Sequence, residues 1–544
     1  MSKKESFIKG TLILVVATLM VRVLSIVQRV PLEHVFGDTG NSAYGLANNL
    51  YLMLLTVASA GIPSTLSKMI SERYALNKPQ EVSRIFRAAL IFSAISGVLM
   101  TLLLYLAAPF YAEYIAKVPE ASLAIRAIAP ALLLFPATAI MRGYFQGRGN
   151  ITASAISQII EQILRVITAV GLAFVMLGMG YSDKWLAAGA SFGGVLGSIG
   201  AFGVMLYYLL RRHKEDQVNS SVVSAHEETI IPYTQIYLDI FKLSIPIVLT
   251  SLAVTAVNFI DGSIVKILLI GQIGEVLAEQ MLAYLTSRAQ MVAGIPPILA
   301  IALSTSLIPV ISAAFTRKDE DHLRNQVTLA MRIAILTSMP IVIALSTASY
   351  SVNGLLFKSL DGSDIVGLLT LMTIFQVTMM ISNSILLSLG KPNYSMVNVA
   401  IGIAAKVAGS YILSCFLGIY GIIFATGLCF FIITILNLYA IKKIVPFFIM
   451  GKRWIGFLIT IIVLSGIGYG LNLAGIQMVS ILPDRIVFFL TCCTVGIVVV
   501  ALYPIFLVLL RVIRQDDLKD FPTPLRKIIS PFMRLQLSKS VERK

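Results

Sequence analysis

Five basic residues, Arg22, Arg29, Arg165, Arg288 and Lys406, and two acids, Glu161 and Asp261, stand inside stretches that are otherwise apolar and long enough to span a bilayer. An ionisable side chain at the centre of a bilayer costs roughly 2.5–3.5 kcal/mol on insertion scales, so each should face protein, water or a ligand. Five cations against two anions make the interior positive. Arginine suits phosphate because its planar fork donates two parallel hydrogen bonds. The chemistry these residue types point to is the binding of an anion, with a lipid-linked phosphate or pyrophosphate as the fitting class. On a helix, Thr11, Thr18, Arg22, Ser25 and Arg29 fall within about 60° of one another, a polar stripe that requires a hydrated cavity or a polar interface. Arg22 is mid-span, whereas Arg29 lies near the outer end and could also snorkel to the headgroups. Arg288 sits in Thr286-Ser287-Arg288-Ala289-Gln290 ahead of Gly294, Pro296 and Pro297. Proline frees carbonyls, which is tolerated at membrane depth beside protein or water. Lys406 is a further candidate ligand, or a lysine that is paired or deprotonated. Arg22, Ser25, Arg29, Arg288 and Lys406 therefore form the candidate substrate-binding set. Glu161 and Arg165, four apart with Glu first, form a structural or coupling ion pair. Asn258 and Asp261 follow Ser251 and Thr255 at helical spacing and could hold a coupling cation or pack helices.

The elements that must position these residues are membrane helices. The chain has 544 residues, 57% hydrophobic and 13% charged, with mean hydropathy +0.87. A soluble protein is nearer 45–50% apolar and about 25% charged. A soluble multidomain enzyme, a disordered chain and a disulfide-stapled secreted domain are excluded. Cys415, Cys429, Cys492 and Cys493 read as small buried hydrophobes. A spanning helix needs about 20 apolar residues, and such runs fall near 8–30, 44–67, 86–107, 122–145, 154–178, 186–210, 240–262, 279–311, 328–350, 365–389, 395–417, 420–441, 454–474 and 485–510. The fold class is thus an all-α polytopic membrane protein of fourteen transmembrane helices. The expected organisation is an N-lobe over 1–210, a polar cytoplasmic linker over 211–239, a C-lobe over 240–445, two further helices over 446–510 and a basic cytoplasmic tail over 511–544.

The net charge of +16 reflects membrane orientation and not nucleic acid. Of the 43 basic residues, 32 fall before the first span, in alternate loops and in the tail, against six in the opposite loops. This places both termini in the cytoplasm. Residues 64–90 align without a gap on 305–331, an offset of 241, and Gly147-Arg148-Gly149-Asn150 aligns on Gly390-Lys391-Pro392-Asn393, an offset of 243. Two six-helix blocks of one orientation follow, a parallel repeat of the kind found in transporters.

The segment GIPSTLSKMISERYALNK ending the second span, the GRGN and GKPN turns after the fourth and tenth, and the six-plus-six-plus-two count resemble the MOP (multidrug/oligosaccharidyl-lipid/polysaccharide) exporter superfamily. Within it the whole chain is similar to the YtgP/SpoVB branch, with its MurJ-type lipid II flippases. The resemblance implies two lobes in a V, a central cationic cavity and alternating access. It also implies that Arg22 and Arg288 match arginines of the first and eighth helices of MurJ-type proteins. The pattern departs where those proteins carry a second Arg six residues after the first and another late in the second helix. Here Gln28 takes that place with Arg29 one position on, and no Arg lies between 45 and 67.

The expected function is translocation of an undecaprenyl-pyrophosphate cell-wall precursor, lipid II in the first instance, from the cytoplasmic to the outer leaflet of a bacterial cell membrane. Another lipid-linked polysaccharide as cargo and a MATE-like cation or drug antiporter are the alternatives. An enzyme is disfavoured: His34, His213, His226 and His322 lie far apart in loops, with no His-Glu-x-x-His motif and no carboxylate pair. No catalytic residue, metal or cofactor is expected. The driving force would be the membrane potential or a sodium or proton gradient. Membrane lipids, the anionic glycan lipid and cell-wall synthesis proteins are the expected partners, and nucleic acid is not.

Overall fold

The computed structural model describes residues 7–533 apart from 60, 76–77, 220–231, 358, 479–482, 516, 518–525 and 527–528. Every regular element among the described residues is helical, and the chain divides into two compact units, residues 1–287 and 288–544. Unit 1 contains α1 (Phe7–Val35), α2 (Asp38–Ser59), α3 (Ile62–Ala75), α4 (Pro79–Phe110) with a π turn at Tyr111–Ile115, α5 (Ala121–Ile128), α6 (Ala131–Gly147), α7 (Ile151–Gly178), α8 (Asp183–Asn219), α9 (Tyr233–Ile273) and α10 (Glu275–Ala283). A π segment, Tyr284–Ala289, carries the chain into unit 2. There follow α11 (Gln290–Ala293), α12 (Pro297–Thr316), α13 (Glu320–Thr347), α14 (Ser349–Leu356), α15 (Ser363–Ser388), α16 (Pro392–Leu417), α17 (Ile419–Ile444), α18 (Trp454–Gln477) and α19 (Asp484–Leu509).

Twelve helical stretches among the described residues are long and apolar enough to cross a membrane. The fourteen expected spans differ from these at the first and the eighth. The first corresponds to α1, a continuous helix of 29 residues. The eighth, 279–311, is not one helix: it is divided among α10, the π segment, α11 and α12. The break after α11 falls at Gly294-Ile295-Pro296, because proline cannot donate the i→i−4 bond and clashes with the preceding turn. The linker expected over 211–239 reaches into regular structure at both ends, since α8 continues to Asn219 and α9 begins at Tyr233; residues 220–231 lie outside the described residues.

The repeat is visible in the helix ends. In unit 1, Arg148, Gly149 and Asn150 donate backbone bonds to Tyr144, Gln146 and Phe145; in unit 2, Leu389, Gly390 and Lys391 donate to Ile385, Leu387 and Leu386. Both turns are closed by a glycine in the left-handed region, Gly149 at φ 78° and Gly390 at φ 68°, as a helix C-terminus requires. These bonds match residue for residue at an offset of 241. The offset of 243 read from GRGN and GKPN is therefore corrected to 241, the value of the first repeat. The α3 and α12 ends and the α4 and α13 starts differ by the same 241 residues.

In unit 1 the site-bearing helix α7 packs on α8. A Cβ at Gly193 or Gly197 would lie 2.8 Å from the Arg165 or Glu161 carbonyl oxygen, so the two glycines, four apart, let the backbones meet. Small residues at this spacing are what bring membrane helices together, because lipid offers no hydrophobic penalty to drive them.

Candidate functional site

Glu161 lies on α7 and is 8% exposed. Arg165, one turn on, donates to its Oε1 at 3.2 Å and to the Tyr51 hydroxyl of α2 at 2.8 Å. The other carboxylate oxygen, Oε2, accepts from Arg142 of α6 at 2.8 Å. Arg142 also donates twice to Ser157 Oγ, at 3.2 and 2.8 Å. Two guanidiniums thus share one carboxylate. The i,i+4 pair was legible in the sequence; the part of Arg142, which stands inside the expected span 122–145 but at no helical spacing from Glu161, was not. Its place inside the span 121–147, more than one turn from the end, was the available signal, and its ion pair closes over 19 residues.

Arg29 of α1 does not reach outward. Its guanidinium stacks over the Tyr44 ring at 4.6 Å and donates to Ser287 Oγ at 2.7 Å and the Thr286 carbonyl at 3.4 Å. Ser287 in turn donates to the Asn41 carbonyl. Beside Arg29, the buried Gln28 donates to the Tyr44 hydroxyl at 2.9 Å and accepts from Gln162 of α7. Ser25 spends its hydroxyl on the Val21 carbonyl of its own helix, 2.8 Å away. The Arg22 backbone is helical within α1, and its side chain lies outside the described residues. On α9, Asp261 is 2% exposed, and the Asn258 carbonyl accepts from Asn49 of α2 at 3.3 Å.

Lys266 falls between the expected spans 240–262 and 279–311, among the six basic residues of the opposite loops. Because α9 runs to Ile273, it is instead a helix residue, 2% exposed, paired with Glu279 at 3.0 Å and Glu275 at 3.2 Å. The count of five buried-span cations is corrected accordingly by Arg142 and Lys266, each with a carboxylate in contact.

In unit 2, Arg288 is 6% exposed and lies in the π segment, a wider turn of the kind often met at functional sites. Its Nη1 donates to the Asp361 carbonyl at 2.9 Å and Ser359 Oγ at 3.0 Å, and its guanidinium lies 5.4 Å over the Phe357 ring. Lys406 of α16 is fully buried and donates to Ser410 Oγ at 2.8 Å and to the Ile422 carbonyl of α17 at 3.1 Å. It ties two helices together. Among the cysteines, Cys429 is buried as expected, while Cys415 is exposed.

A family model described as "Polysaccharide biosynthesis protein" matches residues 7–315, more than half of the chain. The chain belongs to that family. It is 25% identical over 473 residues to the lipid II flippase MurJ of Bacillus subtilis (strain 168), covering 84% of this chain and 85% of that protein. It is 24% identical over 544 residues to stage V sporulation protein B of the same organism, covering 97% and 99%. In fold it is similar to an inward-facing multidrug resistance MATE family transporter of the MOP superfamily, with a TM-score of 0.64 and 16% identity over 79% of this chain and 98% of that one. This member of the family is a multi-pass membrane protein with a MOP-type helical fold.

Proposed function

We propose that this chain is a flippase that carries an undecaprenyl-pyrophosphate-linked cell-wall precursor, lipid II in the first instance, from the cytoplasmic to the outer leaflet by alternating access. The observation that carries the reading is likeness over more than four-fifths of both chains to a protein named as a lipid II flippase. The cationic character of the membrane helices agrees with it: Arg142 and Arg165 share the single carboxylate of Glu161, and Arg29 is held inward on Tyr44. A pyrophosphate entering such a region meets donors whose charge is already oriented, so little ordering is needed when it binds. Arg22 and Arg288 are the first phosphate ligands in this proposal, and Glu161 fixes the geometry of the guanidiniums around it. The protein would work in the bacterial cell membrane with both termini in the cytoplasm, driven by the membrane potential or by a sodium or proton gradient.

The test is depletion of the host's own flippase in a strain carrying this gene. Lipid II should accumulate on the cytoplasmic side when the chain is withdrawn and clear when it returns. Accumulation of a different lipid-linked glycan under the same conditions would move the assignment to another cargo of the family.

A further inference from the structure

The short helix α14 has two faces, each with a definite attachment. On one face Ser351 donates to Asn472 Oδ1 of α18 at 2.6 Å, and both residues are completely buried. Three residues on, Gly354 meets the Phe488 ring of α19 so closely that any Cβ would overlap it. On the other face Asn353, also completely buried, donates through Nδ2 to the Asp361 carbonyl at 2.9 Å. That same oxygen accepts from Arg288 at 2.9 Å. One carbonyl therefore serves both the asparagine and the arginine, and the Asp361 backbone cannot shift without moving both. The α14 helix cannot shift without disturbing α18 and α19.

We propose that Asn353 is a positioning residue for Arg288, and that the α18–α19 pair, which lies outside the repeated six-helix blocks, sets the place of the seat through the Asn472–Ser351 bond. The inference rests on the proposed role of Arg288 as a phosphate ligand. A guanidinium on a long side chain recognises pyrophosphate well when its direction is fixed before the ligand arrives, and it is the supporting shell that fixes it. The two extra helices thereby act on Arg288 through α14.

The experiment is a double-mutant cycle in the full-length chain reconstituted in vesicles with lipid II, using Asn353→Asp, Asn472→Ala and Arg288→Lys. Asn353→Asp keeps the shape and loses the donor. Arg288→Lys keeps enough activity for a second loss to be measured. Each change alone should lower transport about tenfold through a raised apparent KM at nearly constant kcat. Combined with Arg288→Lys, neither of the other two should lower it much further, because residues acting through one another are not additive. Multiplying losses would overturn the positioning role. A parallel cycle on thermal unfolding tests the seat without reference to cargo, and strict additivity there would overturn the shared-carbonyl link. If Arg288→Lys leaves lipid II transport at the wild-type rate while the unfolding cycle still shows coupling, the phosphate-ligand reading has failed, and positioning for substrate fails with it.

Discussion

Glu161 ties α6 to α7 in unit 1, since its carboxylate accepts from both Arg142 and Arg165. Removing one member of a buried charged set costs about 3–5 kcal/mol because the remaining charge is left in a low dielectric without compensation. Glu161→Gln should therefore lower the unfolding temperature more than Arg165→Met, which leaves Glu161 neutralised by Arg142. Equal losses in a denaturation series would show that the two arginines are satisfied by other groups. For the proposed phosphate ligands the ordering of substitutions carries the information. Arg22→Ala and Arg288→Ala should abolish complementation of a depleted strain, while Arg→Lys should retain part of it, because charge survives and the bidentate fork does not. Normal expression with full complementation by both Ala variants would contradict this. The difference between what the sequence disclosed and what it did not is plain among these residues. Glu161 and Arg165 are four apart, so helix periodicity alone pairs them. Arg29 and Ser287 are separated by 258 positions, and no local pattern reports a bond that tertiary packing makes.

Proline, glycine and apolar run length located the helices and the bend near Arg288, because those signals act within one turn. They did not show that the bend is a π segment followed by a break in the helix between Ala293 and Pro297. The tail illustrates the same limit at the scale of an element. Most of the basic tail expected over 511–544 lies outside the described residues, but Asp517 within it is 9% exposed and accepts from Arg332 of α13 at 3.0 Å and from Arg453 at 2.6 Å. The backbone N–H of Arg514 also donates to it. The first residues of the tail are therefore part of unit 2. Hydrogen bonds to charged groups contribute about 1.5–3 kcal/mol, so Asp517→Asn and truncation after Arg514 should both lower the unfolding temperature, with the rate per folded molecule unchanged. Wild-type stability of the truncated chain would show that the clasp contributes nothing.

For the whole molecule, the repeat at 241 residues and the family likeness place the chain among MOP-type membrane proteins, and the proposed cycle must then move charge across a bilayer. With the interior negative, outward movement of an anion is favoured by about 2.3 kcal/mol per charge per 100 mV for a full crossing. An empty cationic cavity is drawn the other way, which would return the transporter to its inward-open state. Accessibility of engineered cysteines at cavity positions should thus shift outward when an ionophore collapses the potential and spares the ion gradients. Unchanged accessibility would favour a coupling cation near Asn258 and Asp261. The central claim is the cargo. The most direct measurement places the purified chain in vesicles carrying labelled lipid II and follows the lipid's exposure to a membrane-impermeant reagent. The proposed function predicts exposure with the wild-type chain and none above background with Arg288→Ala; equal exposure with both, or none with either while another lipid-linked glycan crosses, would contradict it.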